Sequence, residues 1–197
     1  VFEPNPVKVK ICGLTNLDDA RFCSGMGADF LGFIFVENSK RYIKPEDAAE
    51  IIAWLEGPKK VGVFMNQGAD DVNDTAHITK IDYIQLHGNE SPEYCSLMEK
   101  PVIKTIPVGH FDDEEDLFEK AKAYRNVVDY LLFDTSVAGQ TGGTGKIFNW
   151  ALLKNFALDV PFFIAGGIGA ENVAEAVQFA KPFAVDLSSS VEREPGI

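Results

Sequence analysis

The stretch Phe162–Ser190 reads FFIAGGIGAENVAEAVQFAKPFAVDLSSS, and its reading decides the fold. A short apolar run, Phe162–Ala165, stops at Gly166-Gly167. A second, Phe183–Leu187, stops at Ser188-Ser189-Ser190, with room for a helix between the two. Two buried strands joined by a helix-length crossover are the parallel βαβ unit, whose strands are continuous apolar runs because both faces are covered.

The same unit repeats toward the N-terminus. Runs rich in Val, Ile, Phe and Tyr predict strands at Val7–Cys12, Phe30–Phe35, Lys60–Met65, Tyr83–His87, Val102–Val108 and Tyr130–Thr135. Between them lie helix starts. Asn16 is a cap for a helix over Asp18–Met26, with Asp18 and Asp19 favourably placed in its first turn. Pro45 followed by Glu46 and Asp47 opens a helix to Leu55, and Ser91-Pro92-Glu93 has the same form. Asp112–Glu115 opens another, ending near Tyr124; its acids read as a solvated helix N-terminus rather than a metal site. Eight such strands predict an α/β architecture, a single (β/α)8 TIM barrel occupying residues 1–197 as one domain. An open doubly wound sheet is the alternative, since periodicity does not prove closure. Val191–Ile197 is too short for the helix that closes such a barrel, and the chain does not begin with Met. The expectation is a closing C-terminal helix that is missing or lies beyond the given chain; if it is missing, apolar surface near the first and eighth strands is left uncovered.

Composition narrows the function. The 197 residues are 46% hydrophobic and 24% charged, ordinary for a globular protein. Asp and Glu outnumber Lys and Arg by 30 to 18, a net charge of -12 that repels nucleic acid and anionic membranes. Cys12, Cys23 and Cys95 form no CxxC pair and no disulfide framework, which fits a reducing, cytoplasmic setting. The oligomeric state is not encoded legibly.

In a barrel of this kind chemistry gathers at the C-terminal ends of the strands. Gly142-Gly143-Thr144-Gly145-Lys146 resembles a nucleotide P-loop but has Gln140 and Ile147 where that motif needs Gly and Ser or Thr. It reads instead as a glycine-rich loop that lets backbone approach a ligand. The Gly166-Gly167 and Ser188–Ser190 loops follow strands seven and eight, where such barrels commonly bind phosphate. Cys12 ends the first strand in phase with Lys8 and Lys10, just before Gly13. On residues alone it is either a small core residue or a base or nucleophile, with Lys10 as its cationic neighbour. Asp134 closes an apolar run as a cap or an acid. Arg41, in the loop after the second strand, is suited to fork onto a carboxylate, and His87 to add a hydrogen bond.

Several ordered motifs carry a family resemblance. Lys10-Ile11-Cys12-Gly13-Leu14-Thr15, Gly32–Phe35 with Ser39–Tyr42, Gly62-Val63-Phe64, and Gln85–Gly88 with Glu90 are followed by Leu132–Asp134, Gly142–Lys146 with Trp150, Ala165–Ile168 with Asn172-Val173, and Val185–Glu192. Together they resemble the phosphoribosylanthranilate isomerases of tryptophan biosynthesis. The resemblance implies a TIM barrel that performs an Amadori rearrangement on a small phosphosugar substrate, without metal or other cofactor. It implies Cys12 as general base, Asp134 as general acid, Arg41 as the anthranilate carboxylate holder, and Gly166, Gly167, Ser188 and Ser189 as the phosphate cradle. One departure is Ser190, where the family usually has glycine; if that position needs positive φ, Ser190 is strained by about 1 kcal/mol or more. A non-catalytic phosphosugar-binding paralogue is therefore the competing reading. Indoleglycerol-phosphate synthase and ribulose-phosphate epimerase are weaker rivals, since their lysine–glutamate and metal-binding sets are not visible.

Overall fold

A computed structural model of the chain describes residues 6–108, 114–134, 153 and 159–197. Eight parallel strands run in chain order around a closed barrel: β1 (Lys8–Cys12), β2 (Phe30–Ile34), β3 (Lys59–Phe64), β4 (Tyr83–Leu86), β5 (Val102–Pro107), β6 (Tyr130–Asp134), β7 (Phe162–Ala165) and β8 (Ala184–Leu187). Closure is made by β1 against β8, with Lys8 opposite Ala184, Lys10 opposite Asp186 and Ile11 opposite Leu187. That ladder excludes the open-sheet alternative. The predicted strands are correct to within one residue at each described end; Thr135 lies outside the described residues.

The described helices are α1 (Leu17–Gly25), α2 (Pro45–Ile52), α3 (Ala69–Thr79), α4 (Pro92–Cys95), α5 (Glu114–Lys122) and α6 (Val173–Ala180). Asn16 caps α1 as expected, its Oδ1 accepting the Asp19 N–H at 2.9 Å. Pro45 opens α2, whose α-helical residues end at Ile52, short of the predicted Leu55. Ser91 Oγ accepts the Tyr94 N–H at 3.2 Å, but α4 is a single turn. Asp112 and Asp113, the predicted opening of α5, lie outside the described residues.

Alternation along the strands divides the core in two. One phase, including Leu31, Phe33, Phe64, Ile84, Leu131 and Phe133, faces outward and packs with Ala20, Ala48, Val72, Leu117 and Ala176 of the helices. Each large apolar side chain so buried contributes about 1.5–3 kcal/mol. The other phase points inward. Phe30 of β2 meets Phe163 of β7 edge-on at 5.2 Å and Tyr83 of β4 at 5.9 Å. Contacts between strands that are not ladder neighbours can only cross the barrel interior. Val61, Ile103, Leu132 and Ala184 complete this apolar plug. Farther along the same strands toward their C-terminal ends, the buried residues turn polar: Lys10, Gln85, Thr105 and Asp134. The fold thus confines chemistry to one end of the barrel.

On the outside, α1 and residues 191–197 flank a groove of about 810 Å³ that reaches Val9 and Ile11. Phe22, Met26, Val191 and Ile197 are exposed around it.

Candidate active site

A cavity of about 480 Å³ opens at the C-terminal end of the barrel. Cys12, Arg41, His87 and Asp134 line it, and Gly166, Gly167, Ser188 and Ser189 complete the wall. All eight candidate residues therefore meet in one space, though they come from six different loops and strand ends. The larger outer groove reaches Cys12 but none of the other seven. The smaller cavity is the candidate site, because among the described residues a thiol, a carboxyl and an imidazole converge there.

At its floor Lys10 is fully buried and donates to both oxygens of Asp186, at 2.9 and 2.8 Å. The pair follows directly from the β1–β8 register, which sets these residues side by side. Burial alone would push the Lys10 ammonium down, but Asp186 and Cys12 outweigh it and hold Lys10 above its ordinary value. Cys12 is half-buried beside them. Burial, partly offset by Lys10, pushes its thiol up to about 11. At pH 7 about one thiol in 10⁴ is then ionised in the empty site. Lys10 is the cation that favours the thiolate over the thiol here.

Opposite, Asp134 ends β6 and is buried. His87 Nε2 stands 3.4 Å from its Oδ2. Gln85 Nε2 and Thr105 Oγ1 each lie 3.2 Å from His87 Nδ1. With the Gln85 amide donating, Nδ1 is the acceptor, so Nε2 carries the proton of the neutral ring and turns it toward Asp134.

At the rim, the Arg41 side chain crosses over Gly13, which has φ +98°. A Cβ there would come 2.5 Å from Arg41 Cδ, so the close approach requires glycine. Arg41 Nε and Nη2 each donate to Glu192, at 2.6 Å. Across the cavity Gly166 and Gly167 have φ +87° and +67°. Glycine takes that region without strain, so the chain turns here directly after β7, where such barrels commonly bind phosphate. Asn172 Oδ1 accepts the Gly169 N–H and its Nδ2 donates to Gly167 O, both at 2.8 Å, pinning this loop ahead of α6. Ser190 also lines the cavity, and the expected strain is not found. The described non-glycine residues with positive φ are Asn66, Lys80 and Lys181. Ser190 has an ordinary backbone conformation, which removes the physical reason for a non-catalytic paralogue.

Comparison with known proteins agrees with this geometry. The family model for N-(5'-phosphoribosyl)anthranilate (PRA) isomerase matches residues 9–197. The chain belongs to this family. The N-(5'-phosphoribosyl)anthranilate isomerase of Thermotoga neapolitana is 42% identical over 194 residues, covering 96% of this chain and 91% of the relative. The crystal structure of phosphoribosyl anthranilate isomerase from Thermotoga maritima superposes with a TM-score of 0.88 at 40% identity, covering 97% of this chain and 92% of that one. A second structure, of phosphoribosyl anthranilate isomerase in complex with reduced 1-(o-carboxyphenylamino)-1-deoxyribulose 5-phosphate, has a TM-score of 0.85 at 38% identity, covering 97% of this chain and 91% of that one.

Within the family motifs, the Gly142–Lys146 loop and Trp150 lie outside the described residues. Sequence reading passed over three residues that the structure brings to the site or its edge: Gln85, Asp186 and Glu192. Asp186 carried a usable signal, since a carboxylate inside the apolar run Ala-Val-Asp-Leu must find a buried partner. Glu192 carried none, because its partner Arg41 lies 151 residues away.

Proposed function

We propose that the chain catalyses the Amadori rearrangement of N-(5'-phosphoribosyl)anthranilate to 1-(2-carboxyphenylamino)-1-deoxyribulose 5-phosphate, an aldose–ketose isomerisation, within the single domain of residues 1–197. The observation that carries this is the convergence of Cys12 and Asp134 on one cavity that the Gly166-Gly167 turn and Arg41 also line. The substrate has a phosphate at one end and a carboxylate at the other, so the two anion sites fix its direction. Asp134, protonated, gives its proton to the furanose ring oxygen. The C1′–O bond breaks as the amine nitrogen lone pair forms the iminium. Cys12, as thiolate, then takes the C2′ proton, and the C–H electrons flow to nitrogen to leave an enolamine. Protonation at C1′ and loss of the hydroxyl proton give the ketone. Each proton transfer is worth about 10²–10⁴-fold.

His87 supports this assignment by presenting an N–H to the Asp134 side chain. Lys10 supports it by opposing the effect of burial on the thiol. Gly166, Gly167, Ser188 and Ser189 take the phosphate, and Arg41 the anthranilate carboxylate. These roles ask only for a proton donor and a base. A phosphorylated, intracellular metabolite as substrate suits the cytoplasmic setting expected from the cysteines; among the described residues no helix is long and apolar enough to cross a membrane.

The test follows the loss of anthranilate-type fluorescence with substrate generated in situ, comparing the protein with Cys12→Ala and Asp134→Asn. Decay in the parent, abolished to near the spontaneous rate by each change in a folded protein, is the expected result. No decay above the spontaneous rate in the folded parent overturns the reading.

A further inference from the structure

The Arg41 guanidinium is held from behind. Its Nε and Nη2 form a fork onto both oxygens of Glu192, each bond 2.6 Å long. Side-on pairing of this kind uses one edge of the guanidinium and leaves the edge formed by Nη1 and the second Nη2 proton free for another carboxylate. The two partners also face different spaces. Arg41 lines the catalytic cavity, whereas Glu192 lines the outer groove and is absent from the cavity wall. Glu192 thus does not occupy the place where a substrate would sit; it grips the arginine from outside.

Glu192 is itself fixed. Its Oε1 accepts the Gly196 N–H at 3.3 Å, and Thr15 Oγ1 donates to Gly196 O at 2.6 Å. Thr15 belongs to the loop after β1, two residues beyond the Gly13 that Arg41 crosses. Three loops, those after β1, β2 and β8, therefore lock together at the rim around a single guanidinium. The third also carries the phosphate end. Ser188, Ser189 and Glu192 lie on one short segment, folded by the Val191 N–H donating to Ser188 O at 3.0 Å.

We propose that Glu192 is a positioning residue that orients Arg41 for the carboxylate of the substrate's aromatic amine, so that one segment, residues 188–192, sets the distance between the sites for the two anionic ends. This rests on the assignment of Arg41 to that carboxylate. Glu192 touches no reacting atom; it removes the freedom of a long side chain before the substrate arrives, and the contact it orients is made equally in the ground and transition states. Its loss therefore falls on KM rather than kcat.

The experiment compares two glycosylamines made from ribose 5-phosphate, one with anthranilate and one with aniline, which lacks the carboxylate. The preference for the first over the second, as a ratio of kcat/KM, is measured for the parent, Glu192→Gln, Glu192→Asp and Arg41→Gln. The side-chain amide of glutamine keeps the shape but sets an NH₂ against a guanidinium donor. Glu192→Gln is expected to lose about 10- to 100-fold of that preference, almost all of it through KM for the anthranilate substrate. Glu192→Asp, which keeps the charge, is expected to restore part of it. Arg41→Gln is expected to lose at least as much as Glu192→Gln. If Arg41→Gln collapses the preference while Glu192→Gln retains it, the positioning role is wrong and the Arg41 assignment stands. If Arg41→Gln retains the preference, the Arg41 assignment itself fails. Equal KM losses for both substrates in Glu192→Gln would mark a purely structural residue and overturn the proposal.

Discussion

Replacing Lys104 by methionine should cost the protein far more than a surface charge would. Lys104 sits in the middle of β5 with its side chain 2% exposed, and the Glu90 side chain it meets at 2.7 Å is also 2% exposed. Its ammonium donates to Leu86 O, Gly88 O and Glu90 Oε2, so all three donors of the charge are used. Glu90 in turn accepts the N–H groups of Asn66, at 2.8 Å, and Gly88, at 2.9 Å. Tyr124 Oη donates to the Glu90 carbonyl at 2.9 Å. The network fastens the loop after β4, which begins with His87. Lys104→Met leaves a carboxylate buried without its counter-ion, a change that costs about 3–5 kcal/mol. The surviving N–H bonds favour the lower part of that range. At about 2–4 °C per kcal/mol for a chain of this size, a 3 kcal/mol loss lowers Tm by ~6–12 °C.

The assay is urea unfolding of the parent, Lys104→Met, Glu90→Gln and the double variant at pH 7 and pH 3.5. Burial alone would raise the Glu90 carboxyl. The Asn66 N–H and the Lys104 ammonium outweigh it and hold the group below the ordinary carboxylate range. A carboxyl depressed by folding stabilises above its unfolded value, about 4.3, and loses that contribution as the pH falls through the folded value. The gap between parent and Lys104→Met should therefore be full at pH 7 and smaller at pH 3.5, where the carboxylate that needs Lys104 begins to be protonated. The double variant should be more stable than the sum of the single losses predicts, by about 1 kcal/mol or more. A loss below about 1 kcal/mol for Lys104→Met, or strict additivity in the cycle, would refute the reasoning.

Three further outcomes are expected. Because a thiolate base and a protonated acid carry together as many protons as the thiol and the carboxylate, kcat/KM should stay level between the two pKa values and fall only as the Cys12 thiol titrates, near 11 in the free protein. A fall setting in near pH 8.5, read from initial rates, would mean an unperturbed thiol. Lys10→Met removes the cation that opposes burial at Cys12 and orphans Asp186, so kcat should drop and any alkaline limb move to higher pH, checked by the same profile in protein shown to be folded. Gly167→Ala places a side chain at φ +67°, where open space around the added Cβ leaves backbone strain as the sole penalty. That costs about 1–2 kcal/mol and should weaken inhibition by inorganic phosphate, measured as a rise in its inhibition constant.

The sequence made the barrel legible because every strand is a short apolar run and every run ends in a reactive or conformationally special residue. The strand ends Cys12, His87, Asp134, Gly166 and Ser188 could be aligned without coordinates, since in a barrel of parallel strands all C-terminal ends share one face. Closure was not legible, because it depends on the pairing of the first strand with the last, and no local pattern records that pairing. Residues whose meaning lies across that seam were the ones passed over. Lys10 was read as a neighbour of Cys12 alone, although the β1–β8 ladder sets it beside Asp186. Ser190 shows the converse error. A glycine-to-serine difference suggested strain, but strain belongs to a φ value and not to a residue name, and the positive values in this loop pair fall on Gly166 and Gly167 instead.

Two buried ion pairs, one inside the barrel and one on its outer face, support the chemical end of the fold. Buried charges are tolerated only where a partner is supplied, inside the barrel by the neighbouring strand, as β8 supplies Asp186 for Lys10, or on its outer face by the loop after β4, as Glu90 serves Lys104. Lys10 and Asp186 sit inside the barrel just below the cavity, whereas Lys104, in phase with Val102 and Ile106, points outward from β5 and meets Glu90 beside Tyr124. Neither is a bargain in stability, since a well-packed apolar pair of similar volume would serve the fold about as well. Their value lies in what they present upward. The Lys10 charge opposes the desolvation of the Cys12 thiol, and the Lys104–Glu90 network holds the loop from which His87 reaches Asp134. Base and acid are thus each backed by one buried cation, and each cation is held in place by a carboxylate that the backbone topology brings to it.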